Sequence, residues 1–320
     1  MKQHQHYVPE PYLTNFSKNR KGRLVVYKRD GTHIKGKAKD FCGENEFYSF
    51  VDSSGNLNRS IEEMLAVIDD AGATSIRKLL ADEDPAKLTE KEREALAIFF
   101  SFLLVRDRRY REEMKNMTDI ATRVMFRAAA STESSFKNVF GDCEEELSDS
   151  DLREIRETIL SDAYEMEYTK VHWLQLTLEM ALAVFPHVLG KHYWTVTEVH
   201  YPAEVIITSD SPATVLQPPD SSVGQGVGVA NGILYLPLSC SSCLFLHNEQ
   251  NALDFLLQPG VKHVAYLNHH QMFNAYCYVF SDVLMADISS AFMKTSHEDS
   301  HRVVANGPSH LIPPEDRDNR

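Results

Sequence analysis

An α+β fold follows from three features of this 320-residue chain. Segments near both ends read as strands, the middle recurs at helical spacing, and no internal repeat is present. The expected architecture is a predominantly helical middle, with strands from the N- and C-terminal segments forming a shared mixed or antiparallel sheet. One domain is expected over residues 1–294, made of a β-rich cap (1–56), a helical region (57–190) and a strand-rich region with helices (191–294). The polar stretch 295–320, ending "PPEDRDNR", reads as a disordered tail.

The cap opens with "HQHYVPEPYLTNFS" (4–17), whose Tyr7, Val8, Tyr12, Leu13 and Phe16 offer apolar surface to bury. Pro9 and Pro11 stiffen it, so this terminus is expected to be packed rather than frayed. "RLVVYKRDG" (23–31) and "EFYSFVDSSG" (46–55) are strands that end in turns. The period then changes: Ile61, Leu65 and Ile68 recur at helical spacing, toward Leu79 and Leu80. After the break at Pro85, Thr89 and Glu92 form a capping box for a helix expected to reach about Met114. More helix is expected from Thr118 to about Ala130. A later one is capped by Asp149 or Ser150, with Pro186 and Gly190 closing that stretch. From residue 191 strand-like runs return in "HYWTVTEVH", "EVIITSD", "GILYLPLS", "CLFLHN" and "AYCYVFS". The Pro/Gly-rich "QPPDSSVGQGVGVANG" (217–232) is too long for a hairpin connection and reads as a functional or mobile loop.

A hydrophobic content of 43% and a charged content of 25% are those of an ordinary globular protein. The net charge of −13 argues against generic coating of nucleic acid, while basic runs at 18–39 and 106–111 leave local phosphate contact open. Five cysteines are no disulfide framework. No secretory leader is evident, and the longest apolar run, "ALAIFFSFLLV" (95–105), is about half of what spans a bilayer. A cytoplasmic placement without membrane association is therefore expected. The lone "CSSC" (240–243) lacks the further ligands of a structural zinc site, and buried thiols are the better reading. Neither a phosphate-binding glycine loop nor a GxSxG or HExxH motif occurs.

Chemistry-bearing residues fall at a few places. His4 and His6 alternate on an extended segment and so point to one side, as a shared metal or phosphate requires. Arg106 follows Phe102 by four residues and Phe99 by seven, which places it on their face, where it needs an anionic partner. Arg109 lies one turn further on. Glu62 and Asp69 share one side of the preceding helix and suit either a divalent cation or a pair with Arg106. Ser209 and Asp210 sit at the end of the strand "EVIIT", in a turn held by Pro212, and Asn268 lies in "YLNHHQ". Each also has an ordinary structural role open to it, as a turn, an ion pair or a solvated edge.

In order along the chain, "HYVPEPYLTNF", "ENEFYSF", "IEEMLAVID", the arginine of "FFSFLLVRDRR", "IITSDSP", "YLPLS" and "LN" resemble the bacterial proteins grouped as domain of unknown function 4238. The resemblance runs from about residue 4 to 282 and marks His6, Pro9, Glu62, Arg106, Asp210, Pro212 and Asn268. Leu103 and Asp107-Arg108 depart from the family's pattern around the arginine. No reaction comes with the resemblance. From the residues, the expectation is a hydrolase acting on a phosphate-containing small molecule or nucleic acid, in a bacterial defence or toxin setting. In that reading His6, Arg106 and Asp210 are catalytic, and Arg109, Ser209 and Asn268 bind substrate. A divalent metal, if used, is held by His4, His6, Glu62 and Asp210. The alternative is a ligand-sensing or protein-interaction module whose polar motifs are structural.

Overall fold

The computed structural model describes residues 4–18, 21–82, 84–140, 148–166, 168–216, 228–257 and 263–295. Strand β1 (His4–His6) and the short helix α1 (Glu10–Thr14) open the chain, followed by β2 (Arg23–Lys28), β3 (His33–Lys37), β4 (Gly43–Asn45), β5 (Phe50–Val51) and β6 (Leu57–Asn58). The helical stretch comprises α2 (Ser60–Asp82), α3 (Glu90–Val105), α4 (Arg108–Ala130), α5 (Glu133–Phe140), α6 (Asp149–Leu160) and α7 (Lys170–Leu189). Strands β7 (Tyr193–Glu198), β8 (Thr208–Ser209), β9 (Thr214–Leu216), β10 (Ile233–Pro237) and β11 (Ser242–His247) follow. The last elements are α8 (His263–Asn274), β12 (Tyr278–Ser281) and α9 (Ala286–Lys294). The fold is α+β.

All described strand pairs are antiparallel. One sheet has the order β3-β2-β12-β8, so strands from the two ends of the chain share it, as the sequence leads one to expect. A second has the order β7-β11-β10-β9, and β1-β4 and β5-β6 form small ribbons. Strand β2 meets β12 in the register Val26 to Phe280, and its buried Val25 and Tyr27 pack with Met272, Val279 and Phe292. The second sheet buries Tyr235, Cys243 and Phe245 against Ile206, Leu256 and Leu267. Helices α2 and α3 pack so closely that a Cβ on Gly72 would lie 2.3 Å from the Phe99 ring.

The chain divides into two compact units, residues 1–109 with 177–320, and residues 110–176. The sequence suggests one domain over 1–294. Both boundaries fall inside helices, α4 and α7, where no change of composition marks them. The smaller unit gathers Ala130, Phe136, Leu152 and Ile159 into its own core. Among the described residues no helix is long and apolar enough to cross a membrane.

The N-terminal segment is packed: Tyr7, Val8, Tyr12, Leu13 and Phe16 are all buried. The Tyr12 hydroxyl donates to the Pro237 carbonyl at 2.8 Å and lies 2.9 Å from Thr208 Oγ1, tying α1 to the C-terminal half. The capping box of Thr89 and Glu92 is formed. The helix it starts does not reach Met114, however; it ends at Val105 and restarts at Arg108. The interruption lets two consecutive charged residues, Arg106 and Asp107, both be buried on partners. Most of the loop 217–232 and of the tail 295–320 lies outside the described residues.

Candidate functional site

Alternation along β1 separates its side chains. Gln5 is buried, while His4 and His6 lie on the other side with their rings edge-on, centroids 4.9 Å apart. The Gln5 amide accepts from Tyr48 N at 2.6 Å and donates to Ser49 Oγ at 2.8 Å, which holds the 47–49 turn beside the strand. His6 Nε2 is 3.0 Å from the Lys39 carbonyl. A carbonyl only accepts, so Nε2 carries the hydrogen and Nδ1 is the basic nitrogen of the neutral ring.

Arg106 caps the C-terminus of α3, and its side chain is 0% exposed. Its Nη2 donates to Asp69 Oδ1 at 2.7 Å, and its guanidinium lies 5.9 Å from the Phe99 ring centroid. Among the described residues, Nε and Nη1 are buried without a hydrogen-bond partner, and so is the Tyr48 hydroxyl. Burial opposes the Arg106 charge, but Asp69, Tyr48 and Glu62 outweigh it and hold the guanidinium's pKa above its ordinary value. Burial raises the Asp69 carboxyl, against the pull of Arg106 and then of His6. Burial and the Asp69 charge raise Glu62, against Arg106. Burial also raises the Tyr48 phenol, with Arg106 opposing. These shifts tie Tyr48, Glu62, Asp69 and Arg106 to one another, with His6 acting on Asp69. The Asp69 side chain is 19% exposed, so the cluster communicates with solvent there. A buried cation with spare donors, beside carboxyls shifted toward neutrality, is equipped to bind an acceptor group and to exchange protons with it.

The model of a family described as proteins of unknown function, DUF4238, matches residues 4–283. The chain belongs to the DUF4238 family. No curated protein and no solved structure matches it. All five members of the cluster lie within the DUF4238 match.

The remaining residues singled out in this DUF4238 sequence are placed differently. Among the described residues no three His, Cys, Asp or Glu side chains are placed to hold a metal ion. The expected ligand set of His4, His6, Glu62 and Asp210 is thus not assembled. His4 is exposed and packs over Gly43. Asp210 is buried, and its two oxygens accept from the backbone N–H groups of Tyr276, Cys277 and Tyr278 at 2.8, 2.7 and 3.1 Å. Burial pushes its carboxyl up to about 6, outweighing those three donors and Arg29. Its acceptor capacity is taken up in fixing the entry to β12, which leaves little for a catalytic or metal-binding role.

Ser209, Asn268 and Arg109, expected to contact substrate, each make internal hydrogen bonds. Ser209 Oγ donates to Gln271 Oε1 at 2.9 Å. Asn268 accepts from Ile207 N at 3.0 Å and donates to the Val205 carbonyl at 2.8 Å. Arg109 donates to Asn274 Oδ1 at 2.7 Å and to the Phe273 carbonyl at 3.3 Å. The pairing of Asp69 with Arg106 is one that helical spacing anticipates. Three other buried polar residues carry weaker signals. Gln5 had one, the alternation that turns it away from its histidine neighbours. Tyr48 had one, its place in "ENEFYSF". Asp107, bonded to Ser211 Oγ, is hidden by the unexpected helix break. The Cys240 and Cys243 thiols are buried and free, with burial raising both.

Proposed function

We propose that the cluster of His6, Tyr48, Glu62, Asp69 and Arg106 is an oxyanion site that hydrolyses a phosphate-containing substrate by acid–base chemistry. One observation carries the reading: the fully buried Arg106 keeps two donor nitrogens, Nε and Nη1, without partners among the described residues. A buried donor left unmade costs about 1–3 kcal/mol, so a site retaining two is poised to recover that on binding an acceptor. Asp69 holds the guanidinium in place, and its free donors meet the phosphoryl oxygens. His6 Nδ1 takes a proton from water as the water oxygen bonds to phosphorus. The bond from phosphorus to the leaving oxygen breaks, and Glu62, its carboxyl raised by burial, protonates that oxygen. The net charge of −13 favours a small phosphate ester over a nucleic-acid strand. The free thiols of Cys42, Cys240, Cys243 and Cys277 support a reducing, cytoplasmic setting.

A second reading, binding without turnover, is favoured by the way Asp210, Ser209 and Asn268 are engaged with the protein itself. The two are separated with chromogenic phosphate mono- and diesters and with inorganic phosphate. The hydrolase reading expects Glu62→Gln to bind phosphate as the wild type does but to lose most turnover. Phosphate binding that depends on Arg106, with no ester turned over, establishes the binding module. Absence of phosphate binding removes both.

A further inference from the structure

The sheet β3-β2-β12-β8 is open along β3. Among the described residues that strand pairs with β2 alone, in the register Arg23 to Lys37, Val25 to Lys35 and Tyr27 to His33. Hydrogen bonds from Lys28 N to the Thr32 carbonyl (2.9 Å) and from Ala38 N to the Gly22 carbonyl (2.8 Å) flank the ladder. Bonded pairs alternate along an antiparallel ladder, so Ile34 and Gly36 turn their backbone groups toward β2. His33, Lys35 and Lys37 turn theirs outward, without a backbone partner among the described residues. Side chains alternate as well. Lys35 and Lys37 lie on one face, where Lys37 is directly opposite Arg23, a pairing of like charges. All three are exposed, and none has a carboxylate partner among the described residues. The other face is apolar. Ile34 is exposed there, and Phe41 covers Gly36 so closely that a Cβ would lie 2.3 Å from its ring.

We propose that this edge takes up an extended acidic peptide of a partner protein as a further strand of the sheet. The outward N–H and C=O groups of His33, Lys35 and Lys37 supply main-chain hydrogen bonds, and alternate side chains supply the selection. Acidic residues at every second position of the peptide meet Lys35 and Lys37, and offset the repulsion between Lys37 and Arg23. The residues between them fall on the other face, where Ile34 and the Phe41 ring favour apolar side chains. The ligand class is therefore a peptide that alternates acidic with β-branched apolar residues. Lysines on an open edge guard it against pairing with a like edge, so a second copy of this chain is a poor occupant. They do not guard it against an acidic strand. Nucleic acid uses the lysines but neither the outward carbonyls nor the apolar face. The edge shares no residue with the Arg106 cluster.

Fluorescence anisotropy of the full chain with a labelled short peptide of alternating glutamate and valine tests this. A peptide of the same composition with its glutamates and valines in separate blocks, and a short single-stranded oligonucleotide, are the controls. The alternating peptide is expected to bind at least about tenfold more tightly than either. Its affinity is expected to fall at least about tenfold in Lys35→Gln/Lys37→Gln, whose side chains are exposed and free of the core. Lys35→Pro removes an outward N–H besides the charge, at a place where an edge strand tolerates proline, and should bind more weakly than Lys35→Gln. Hydrogen exchange of the wild type gives an independent reading that needs no variant: bound peptide should slow the amides of His33, Lys35 and Lys37. The proposal is overturned if the alternating peptide gives no binding at about 1 mM, the range of weak affinity. It is equally overturned if the block peptide or the oligonucleotide binds as well, if the double lysine variant binds like the wild type, or if binding leaves those three amides unprotected.

Discussion

Among the described residues Arg106 has one side-chain hydrogen-bond partner, Asp69, and two donor nitrogens left over, so each change at this pair has a distinct consequence. Asp69→Asn leaves the guanidinium buried without its counter-charge. The expected loss is about 3 kcal/mol, the low end for a broken buried pair because Asp69 retains some exposure. A urea titration reads it as a lower midpoint at unchanged slope; a variant as stable as the wild type would show the pair to be dispensable. Asp210 supplies a pH test. Its carboxyl titrates at about 6 when folded against an ordinary 3.8. Between those values the folded chain holds a proton that the unfolded chain has lost, so stability falls as pH rises through the window. The wild-type-minus-Asp210→Asn difference in stability should therefore decline over that range and stay level above it. The two residues differ in how far the sequence exposes them. Arg106 and Asp69 are readable because helical spacing fixes which way each side chain points. Asp210 is not, because its partners are backbone N–H groups more than sixty residues onward, at positions that any residue type supplies equally.

Helices α2 and α3 present the same contrast one level up. The start of α3 is written locally, in Thr89 and Glu92, and Thr89→Ala should cost about 1 kcal/mol through the lost cap. Its end is written elsewhere: Arg106 and Asp107 leave the helix for partners at Asp69 and Ser211, and no local stop signal marks that point. The contact between the helices depends on an absent side chain. A Cβ at Gly72 would come within 2.3 Å of Phe99 Cγ, and Phe99 is itself completely buried. By helix propensity alone, Gly72→Ala stabilises by up to about 1 kcal/mol. Overpacking against a ring with nowhere to go costs about 1–3 kcal/mol and should win. Thermal melts decide the sign, and a raised melting temperature would mean that α2 and α3 separate easily. Such a separation would also shift Asp69 relative to Arg106, so the close approach at Gly72 helps to set the geometry of the site.

Two compact units of unequal core make unfolding of the whole molecule a two-step expectation. The larger unit buries two sheet-based clusters, around Tyr27 and around Tyr235, besides the interior of α3. The smaller has Ala130, Phe136, Leu152 and Ile159, with Phe126, Ile155 and Tyr164 packed against them. Along α4 it also leaves Met117, Ile120, Val124 and Met125 about half or more exposed, apolar surface that does nothing for folding. A unit of 67 residues with so small a core has only a few kcal/mol to spare. Differential scanning calorimetry should therefore resolve an early transition from the smaller unit and a later, larger one. Phe136→Ala, removing the one fully buried aromatic among the described residues of that core, costs about 3–5 kcal/mol and should abolish the early transition. The later one should stay within a degree or two, since nothing in the larger unit is altered. Hydrogen exchange supplies the independent check, with amides of α5 and α6 exchanging ahead of those of α3. One transition that Phe136→Ala shifts as a whole would instead mean that α4 and α7, which run from one unit into the other, couple the two cores into a single cooperative structure.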